Sequence, residues 1–169
     1  GTFTKDPFNL VTVPAVSRKL HVKLLENIQK AQEISETSKY NFSSGNGPWG
    51  IVCNGVSYNY VSDAVKDLGI EDKIKMLRIG FSHPMPENLI KQFAAECEKI
   101  LVVEEGEPFM EEAIKSFAQE SKITIPIQGK GEGLFSRLYE FDPAMVRQVI
   151  ANFFGVSVTM AAVPDLTDV

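Results

Sequence analysis

The chain has 169 residues, a formal net charge of −5 at pH 7 and 44% hydrophobic residues, which suffices for one domain with a core. This charge argues against the basic face of a nucleic-acid-binding protein, and no apolar run reaches the ~20 residues that span a bilayer. The first ten residues, GTFTKDPFNL, lack the apolar segment of a secretory signal peptide. We therefore expect a cytoplasmic chain without nucleic-acid or membrane partners.

The N-terminal part of the sequence combines an irregular segment with one long helix. Residues 1–13 are polar and irregular, and Pro14 then opens a helical pattern that ends in SETSKYNFSSGNGP, where residues 40–43 can form a short strand. The apolar stripe of the helix consists of Leu20, Leu24, Ile28, Ala31 and Ile34. A small domain does not readily cover such a stripe, so we expect an exposed interface here.

Three strand–helix pairs follow in the sequence. The strands are predicted at 49–54, 73–80 and 99–103, and a fourth strand, ITIPI, at 123–127. Val56 and Tyr60 in the first of the three helices, and Phe109 in the third, are expected to face inward. Pro126 cannot donate to a strand ladder, so ITIPI should lie at an edge of the sheet.

The last helix and the alternation of strands with helices define the fold class. Asp142 and Pro143 open a last helix that runs to Phe154 and stops at Gly155. Strands that alternate with helices predict a three-layer α/β/α domain with a mostly parallel sheet of about five strands. The tail beyond residue 155 contains Val156, Val158, Met160 and Val163, which have no clear partner in the chain.

The first stretch that could carry chemistry is the strand–turn–helix connection at Asn54-Gly55. Connections of this type often hold phosphates. This one has a single glycine, whereas a dinucleotide fingerprint needs three and a P-loop ends in Gly-Lys-Ser/Thr. A tight structural connection is the favoured interpretation. Tyr58 lies outside the inward stripe of the following helix and could face a partner.

Two further stretches, VVEEGEP and GKGEG, carry charged groups near turns. Glu104 and Glu105 are adjacent, so they leave a strand on opposite sides and cannot form a face-to-face acid/base pair. A structural role before a helix N-terminus is favoured, because the helix dipole stabilises carboxylates there. GKGEG, residues 129–133, could bind phosphate, but it follows an edge strand and opens no clean helix.

The cysteine and histidine residues are isolated in the sequence. Cys53 and Cys97 each lie in an apolar pattern without a C-x-x-C motif, which predicts buried thiols in a reducing compartment. His21 and His83 have no cysteine or second histidine at ligand spacing. We therefore expect no metal site.

An ordered set of motifs resembles one enzyme family. The segments are Val13-Pro14-Ala15 with Arg18 and His21, GIVCNGVSYNYV (50–61), LRIGFSHPMPENLIKQF (77–93), KILVVEEGEPFMEE (99–112), and IQGKGEG (127–133) followed by YEFDPAMV (139–146). Together they resemble the alpha subunits of indolepyruvate ferredoxin oxidoreductases, which are 2-oxoacid:ferredoxin oxidoreductases. Only the module of these subunits that is similar to transketolase C-terminal domains is covered, and this likeness implies that the strand at 40–43 is antiparallel.

The resemblance implies an enzyme in which this chain is one part. The full-length parent would decarboxylate aryl pyruvates oxidatively with thiamine diphosphate, magnesium and 4Fe–4S clusters, and it would pass electrons to ferredoxin and the acyl group to coenzyme A. A beta subunit and other domains of the same subunit would be its partners. We expect no catalytic, cofactor-binding or metal-binding residue in this chain, which should be inactive alone. Residues 1–37 would form a linker and helix, 38–155 the domain, and 156–169 a linker to an absent domain.

Two functional hypotheses remain open at this point. In the first, the chain is a non-catalytic module that organises contacts between domains or subunits. The contact residues would then be Tyr58, His83, Pro84, Glu104 and Glu105, because loops after parallel strands emerge on one edge of the sheet. In the second, it is an independent small-ligand-binding or regulatory domain that holds a nucleotide or coenzyme A with Asn54-Gly55 and GKGEG.

Overall fold

The computed structural model of the chain describes residues 1–157. The helices are α1 (Pro7–Leu10), α2 (Pro14–Thr37), α3 (Ser57–Asp67), α4 (Glu87–Ala95), α5 (Phe109–Glu120) and α6 (Pro143–Phe154). The strands are β1 (Asn41–Ser44), β2 (Trp49–Asn54), β3 (Ile74–Ile79), β4 (Lys99–Val103) and β5 (Ile127–Gln128). The predicted tail residues Val158, Met160 and Val163 lie outside the described residues.

The five strands form one sheet in the order β1-β3-β2-β4-β5. β1 pairs antiparallel with β3, as expected for residues 40–43, and the other pairs are parallel. The edge position predicted from Pro126 is confirmed, although β5 has only two residues and begins after the proline rather than at Ile123. The proline still contributes its carbonyl, which accepts from Ile100 N at 2.8 Å.

Helices cover both faces of the sheet, so the predicted three-layer architecture is confirmed. α3 and α6 pack against each other on one face, and α4 and α5 on the other. Each face has its own apolar cluster because alternate strand residues point to opposite sides. In the first cluster Trp49 stacks on Phe154 with 5.0 Å between ring centroids, which fixes the end of α6 against β2.

The chain reverses its direction of winding at the centre of the sheet. From β2 it crosses through α3 to β3 on one side, and after α4 it returns to β4 on the other side of β2. The carboxyl ends of β2 and β4 therefore border a topological switch point, which is the usual location of sites in open α/β sheets.

Two expectations about the first turns of helices are wrong. Val56 is 43% exposed and Phe109 is 76% exposed, although both were expected to face inward. Val56 is the N-cap residue of α3 and Phe109 is the first residue of α5, so both lie next to the carboxyl edge of the sheet, where the apolar pattern no longer indicates burial. In addition, residues 1–13 are not entirely irregular, because Asp6 caps the short helix α1 through the backbone N–H of Asn9.

Helix α2 contacts the domain mainly through its last turns. Gln32 donates to the carbonyl of Met85 at 2.7 Å, and Ser35 donates to the carbonyl of Phe81 at 3.3 Å. Glu36 accepts from the backbone N–H groups of Asn88 and Leu89 at 2.9 and 3.1 Å, so it caps α4. Along the rest of the helix the apolar side chains remain open to solvent, among them Val22, Leu24, Leu25, Ile28 and Ile34.

Candidate functional site

A cavity of about 560 Å³ lies at the switch point. Its walls come from the end of β2, from the loop after β3, and from the loop after β4 with the first turn of α5. The lining residues that matter below are Asn54, His83, Met85, Glu104, Glu105 and Phe109. The sequence predicts that the loops after parallel strands emerge on one edge of the sheet, and SHPMP (82–86) and VVEEGEP (102–108) indeed line the same cavity.

Glu104 is bound into the fold at the base of this cavity. It is 4% exposed, and its two carboxylate oxygens accept the backbone N–H groups of Met110 and Glu111, each at 2.8 Å. Glu104, the residue after β4, therefore caps α5, which is the role favoured by the sequence. Burial raises the pKa of the Glu104 carboxyl, and the two backbone hydrogen bonds only partly oppose this shift.

The neighbouring acids Glu105 and Glu107 also line the cavity, but their bonds lead to another segment of the chain. Glu105 is exposed, and its Oε1 atom accepts the backbone N–H of Phe141 at 3.1 Å, on the side of α6. Glu107 forms an ion pair with Arg137. The acidic loop after β4 is thus bonded to the segment 137–141, and both stand at the carboxyl edge of the sheet.

The GKGEG loop surrounds a carboxylate of the protein itself. Glu111 is 1% exposed, accepts the backbone N–H of Gly131 at 2.9 Å, and forms an ion pair with Lys115 at 2.7 Å. A Cβ atom at Gly129 would lie 2.8 Å from Glu111 Oε2, so the loop needs glycine to approach this side chain. The loop therefore uses these groups to hold an internal anion, which accounts for its glycines without a phosphate.

Lys130, the one lysine of this loop, is also turned inward. It is 5% exposed, donates to the carbonyl of Ser136, and lies 4.5 Å from the centroid of the Phe141 ring. Burial lowers the pKa of Lys130, while the nearby Glu104 and Glu105 oppose that change. The ammonium group therefore supports the segment that follows and does not project into solvent.

The other predicted contact residues differ in position. Pro84 is half-buried and follows His83 through a cis peptide bond, so it belongs to the cavity loop. Tyr58 is half-buried on the α3 face, where its ring makes an edge contact with Phe42 and lies 4.6 Å beneath the guanidinium of Arg78. Tyr58 is not among the residues that line the cavity. The structure thus brings four of the five predicted residues to the carboxyl edge around the cavity, and Tyr58 packs elsewhere.

Residues 1–157 contain no candidate metal site, and both of their thiols are buried. No set of three or more His, Cys, Asp or Glu side chains in this range is arranged to hold a metal ion. Both cysteines are buried, and burial raises the pKa of Cys53 to about 12 and that of Cys97 to about 11. No helix in the same range is both long and apolar enough to cross a membrane.

Sequence reasoning missed two residues of this region. Phe109 was expected in the core, and Glu111 is one of two acids in the first turn of α5, where acidic side chains are ordinarily solvated. The signal for Glu111 was the spacing of three glycines in GKGEG, which indicates a close approach of the backbone to some group. The sequence could not show that the group is a side chain of α5.

Comparison with known proteins places the chain in a family. The model of the indolepyruvate oxidoreductase domain matches residues 42–162. Indolepyruvate oxidoreductase subunit IorA of Thermococcus kodakarensis is 40% identical over 92% of the chain, and that of Pyrococcus horikoshii is 39% identical over 92%. The subunit from Methanothermobacter thermautotrophicus is 33% identical over 92%. The chain covers 24%, 24% and 25% of these relatives, so it spans about a quarter of their length.

Solved structures agree with the fold. A 2-oxoglutarate:ferredoxin oxidoreductase from Magnetococcus marinus superposes with a TM-score of 0.55 and 22% identity, over 83% of this chain and 24% of that one. A split gene transketolase gives a TM-score of 0.52 and 19% identity, over 68% of this chain and 40% of the other. These likenesses concern the fold, whereas the family model covers most of the sequence. The chain therefore belongs to the indolepyruvate oxidoreductase domain family.

Proposed function

We propose that this domain is a non-catalytic module of an indolepyruvate ferredoxin oxidoreductase, and that it organises contacts between domains or subunits. The relatives that support this are named as subunits of indolepyruvate oxidoreductase, and the chain matches about a quarter of each. The parent enzyme would oxidatively decarboxylate aryl pyruvates to aryl-acetyl-CoA and reduce ferredoxin. The surface around the cavity, formed by residues 82–85 and 104–109, would be the main contact region.

The main support for the proposal is that the acidic groups at the switch point are already engaged in hydrogen bonds or an ion pair. Glu104 caps α5 with both of its oxygens, Glu105 holds the backbone of Phe141, and Glu107 pairs with Arg137. A general base must be free to reach the proton that it abstracts. Carboxylates engaged in this way shape a surface instead, and the exposed ring of Phe109 beside them is typical of a contact region.

The proposal assigns the cofactors and partners to the rest of the enzyme. Thiamine diphosphate, magnesium and 4Fe–4S clusters would be held by other domains, and a beta subunit, ferredoxin and coenzyme A would be partners of the whole assembly. The solved 2-oxoglutarate:ferredoxin oxidoreductase contains 2-oxoglutarate, coenzyme A and succinyl-CoA, which supports this class of chemistry. Residues 1–37 and 156–169 would connect the domain, 38–155, to its neighbours in a cytoplasmic enzyme.

A second candidate function is the binding of a small ligand in the same cavity. Its volume of about 560 Å³ and its position at the switch point favour this alternative. Three glutamates in the wall disfavour nucleotides and coenzyme A, because their phosphates are anionic. A rise in the melting temperature on adding a nucleotide or coenzyme A would support the alternative over the module.

Charge reversal on the cavity surface tests the proposed contact role. In the full-length enzyme we expect Glu105→Lys to weaken the association of domains or subunits, measured by sedimentation velocity and limited proteolysis. Glu105→Gln keeps an oxygen for the Phe141 N–H and should have a smaller effect. Glu112→Lys, at an exposed position of α5 outside the cavity, is the matched control. Unchanged association in Glu105→Lys would contradict the proposal.

A further inference from the structure

The cavity wall carries a negative charge that the described part of the chain does not fully balance. Within residues 1–157, Arg137 pairs with Glu107, and Lys130 is directed to the carbonyl of Ser136. Glu105 uses only its Oε1 atom, and its Oε2 atom has no hydrogen-bond partner in that range. Three glutamates line the cavity, and the charges of Lys130 and Arg137 offset them only in part, which favours a cation over an anionic group.

Large apolar side chains lie in the cavity wall and on the segment that is bonded to the acidic loop. Phe109 is 76% exposed and lies in the wall of the cavity with Met85, which is half-buried. Leu138 and Tyr139 are 68% and 92% exposed on the segment that Glu105 and Arg137 tie to the acidic loop. Exposed large apolar side chains of this kind indicate a protein surface that becomes covered.

Hydrogen bonds hold the backbone of this segment on both sides of Tyr139. Tyr139 has φ +68°, a left-handed conformation that side chains of its size rarely adopt. The flanking residues fix it, because Ser136 Oγ accepts the Leu138 N–H at 3.0 Å and Glu105 accepts the Phe141 N–H at 3.1 Å. Strain of this kind persists where the surroundings determine a conformation, and here it presents an aromatic ring to solvent.

We propose that the cavity receives a cationic side chain, arginine or lysine, from an apolar segment of the remainder of the same enzyme. This inference rests on the proposed contact role and names the chemistry of the partner. A guanidinium can bind the free oxygen of Glu105 and stack on the Phe109 ring, which combines ion pairing with cation–π attraction. The apolar residues beside the cation would cover Leu138 and Tyr139.

Photo-crosslinking in the full-length enzyme with its partner subunit tests this inference. Benzoylphenylalanine introduced in place of Phe109 should crosslink to one segment of the enzyme, and mass spectrometry should identify an arginine or lysine within a few residues of the attachment point. The same label in place of Gln119, an exposed residue at the far end of α5, should not label that segment. Glu105→Gln should lower the crosslink yield severalfold, and Glu105→Arg should lower it further.

The outcomes separate this inference from the proposed function. A crosslink to a segment without arginine or lysine overturns the cationic partner and leaves the contact role in place. If the label at position 109 reacts with no other part of the enzyme, both proposals fail. Replacing the identified cation by glutamate in the Glu105→Arg enzyme should restore the crosslink, and a yield that stays low would overturn the pairing with Glu105.

Discussion

The carboxylate of Glu104 accepts the backbone N–H of Glu111 at 2.8 Å, so one acidic residue caps the helix on which a second acidic residue is buried. Both side chains are at most 4% exposed, and the second is neutralised by Lys115 and by the N–H of Gly131. The end of β4, the start of α5 and the GKGEG loop are thereby joined through two carboxylates. The wall of the cavity depends on this junction.

We expect Glu104→Ala to destabilise the fold by about 1–3 kcal/mol, because two backbone N–H groups at the start of α5 lose their buried acceptors. Glu104→Gln retains one acceptor oxygen and should lose less. Urea unfolding followed by circular dichroism measures the difference. Glu112→Ala, at an exposed position in the same turn, serves as the control and should stay within about 0.5 kcal/mol of the parent.

The stability of the domain should also depend on pH through Glu104. Burial raises the pKa of this carboxyl in the folded state above its value in the unfolded chain, about 4.3. Between these two pKa values the folded state binds more protons, so stability falls as the pH rises through the window. We expect the free energy of unfolding of the parent, relative to Glu104→Gln, to decrease from about pH 4 upward. A difference that increases with pH would show that the hydrogen bonds outweigh burial.

Removal of the Glu36 carboxylate should loosen α4 from α2. Glu36→Ala leaves the N–H groups of Asn88 and Leu89 without this cap, which typically costs about 0.5–2 kcal/mol. Hydrogen exchange of those two amides should accelerate together with the loss of stability. Glu33→Ala, one turn earlier at an exposed position of the same helix, should change neither quantity.

Two glycines of the GKGEG loop should differ in their tolerance of alanine. A Cβ atom at Gly129 would lie 2.9 Å from the backbone oxygen of Val102, which cannot move without disturbing β4. We expect Gly129→Ala to cost about 1–3 kcal/mol, as overpacking does in cores. At Gly131 the close neighbours are side-chain atoms of Glu111 and Lys115, so Gly131→Ala should cost less. Equal losses in thermal unfolding would contradict this distinction.

The isolated chain should bind no thiamine diphosphate. The cofactor needs a diphosphate–metal anchor, and residues 1–157 contain no group of acidic or histidine ligands arranged for a metal. Calorimetry with thiamine diphosphate and magnesium at about 1 mM, a limit near −4 kcal/mol, should give no binding heat. Arylpyruvate decarboxylation should likewise be absent. A micromolar dissociation constant would return Asn54-Gly55 to consideration as part of a cofactor site.

The layers of the fold could be predicted from the sequence because they depend on local patterns. The proline at 126 restricts its segment to an edge, and Asp142, Pro143 and Gly155 mark the ends of α6 by capping rules that involve only neighbouring residues. The position of SHPMP beside VVEEGEP likewise required only that the strands be parallel.

The details of the candidate site depend on contacts between distant residues, which a periodic pattern does not contain. Gly131 is twenty positions from Glu111 along the chain, yet it lies next to Glu111 in space and donates its N–H to the buried carboxylate. Phe109 has the spacing of a core residue, yet it is the first residue of α5, next to the carboxyl edge of the sheet. Tyr58 lies outside the inward stripe of α3, and the pattern could not show that Phe42 and Arg78 pack against its ring.

Helix α2 is mechanically coupled to the cavity. Its 24 residues extend about 36 Å, and three side chains near its end hold both flanks of the loop that carries His83: Ser35 at Phe81, Gln32 at Met85, and Glu36 at the start of α4. A neighbouring domain or subunit that binds the exposed apolar side of this helix would contact it far from these three bonds. Rotation of the helix would either break these bonds or move the cavity wall. The exposed apolar side of α2 and the surface around the cavity are therefore positioned together.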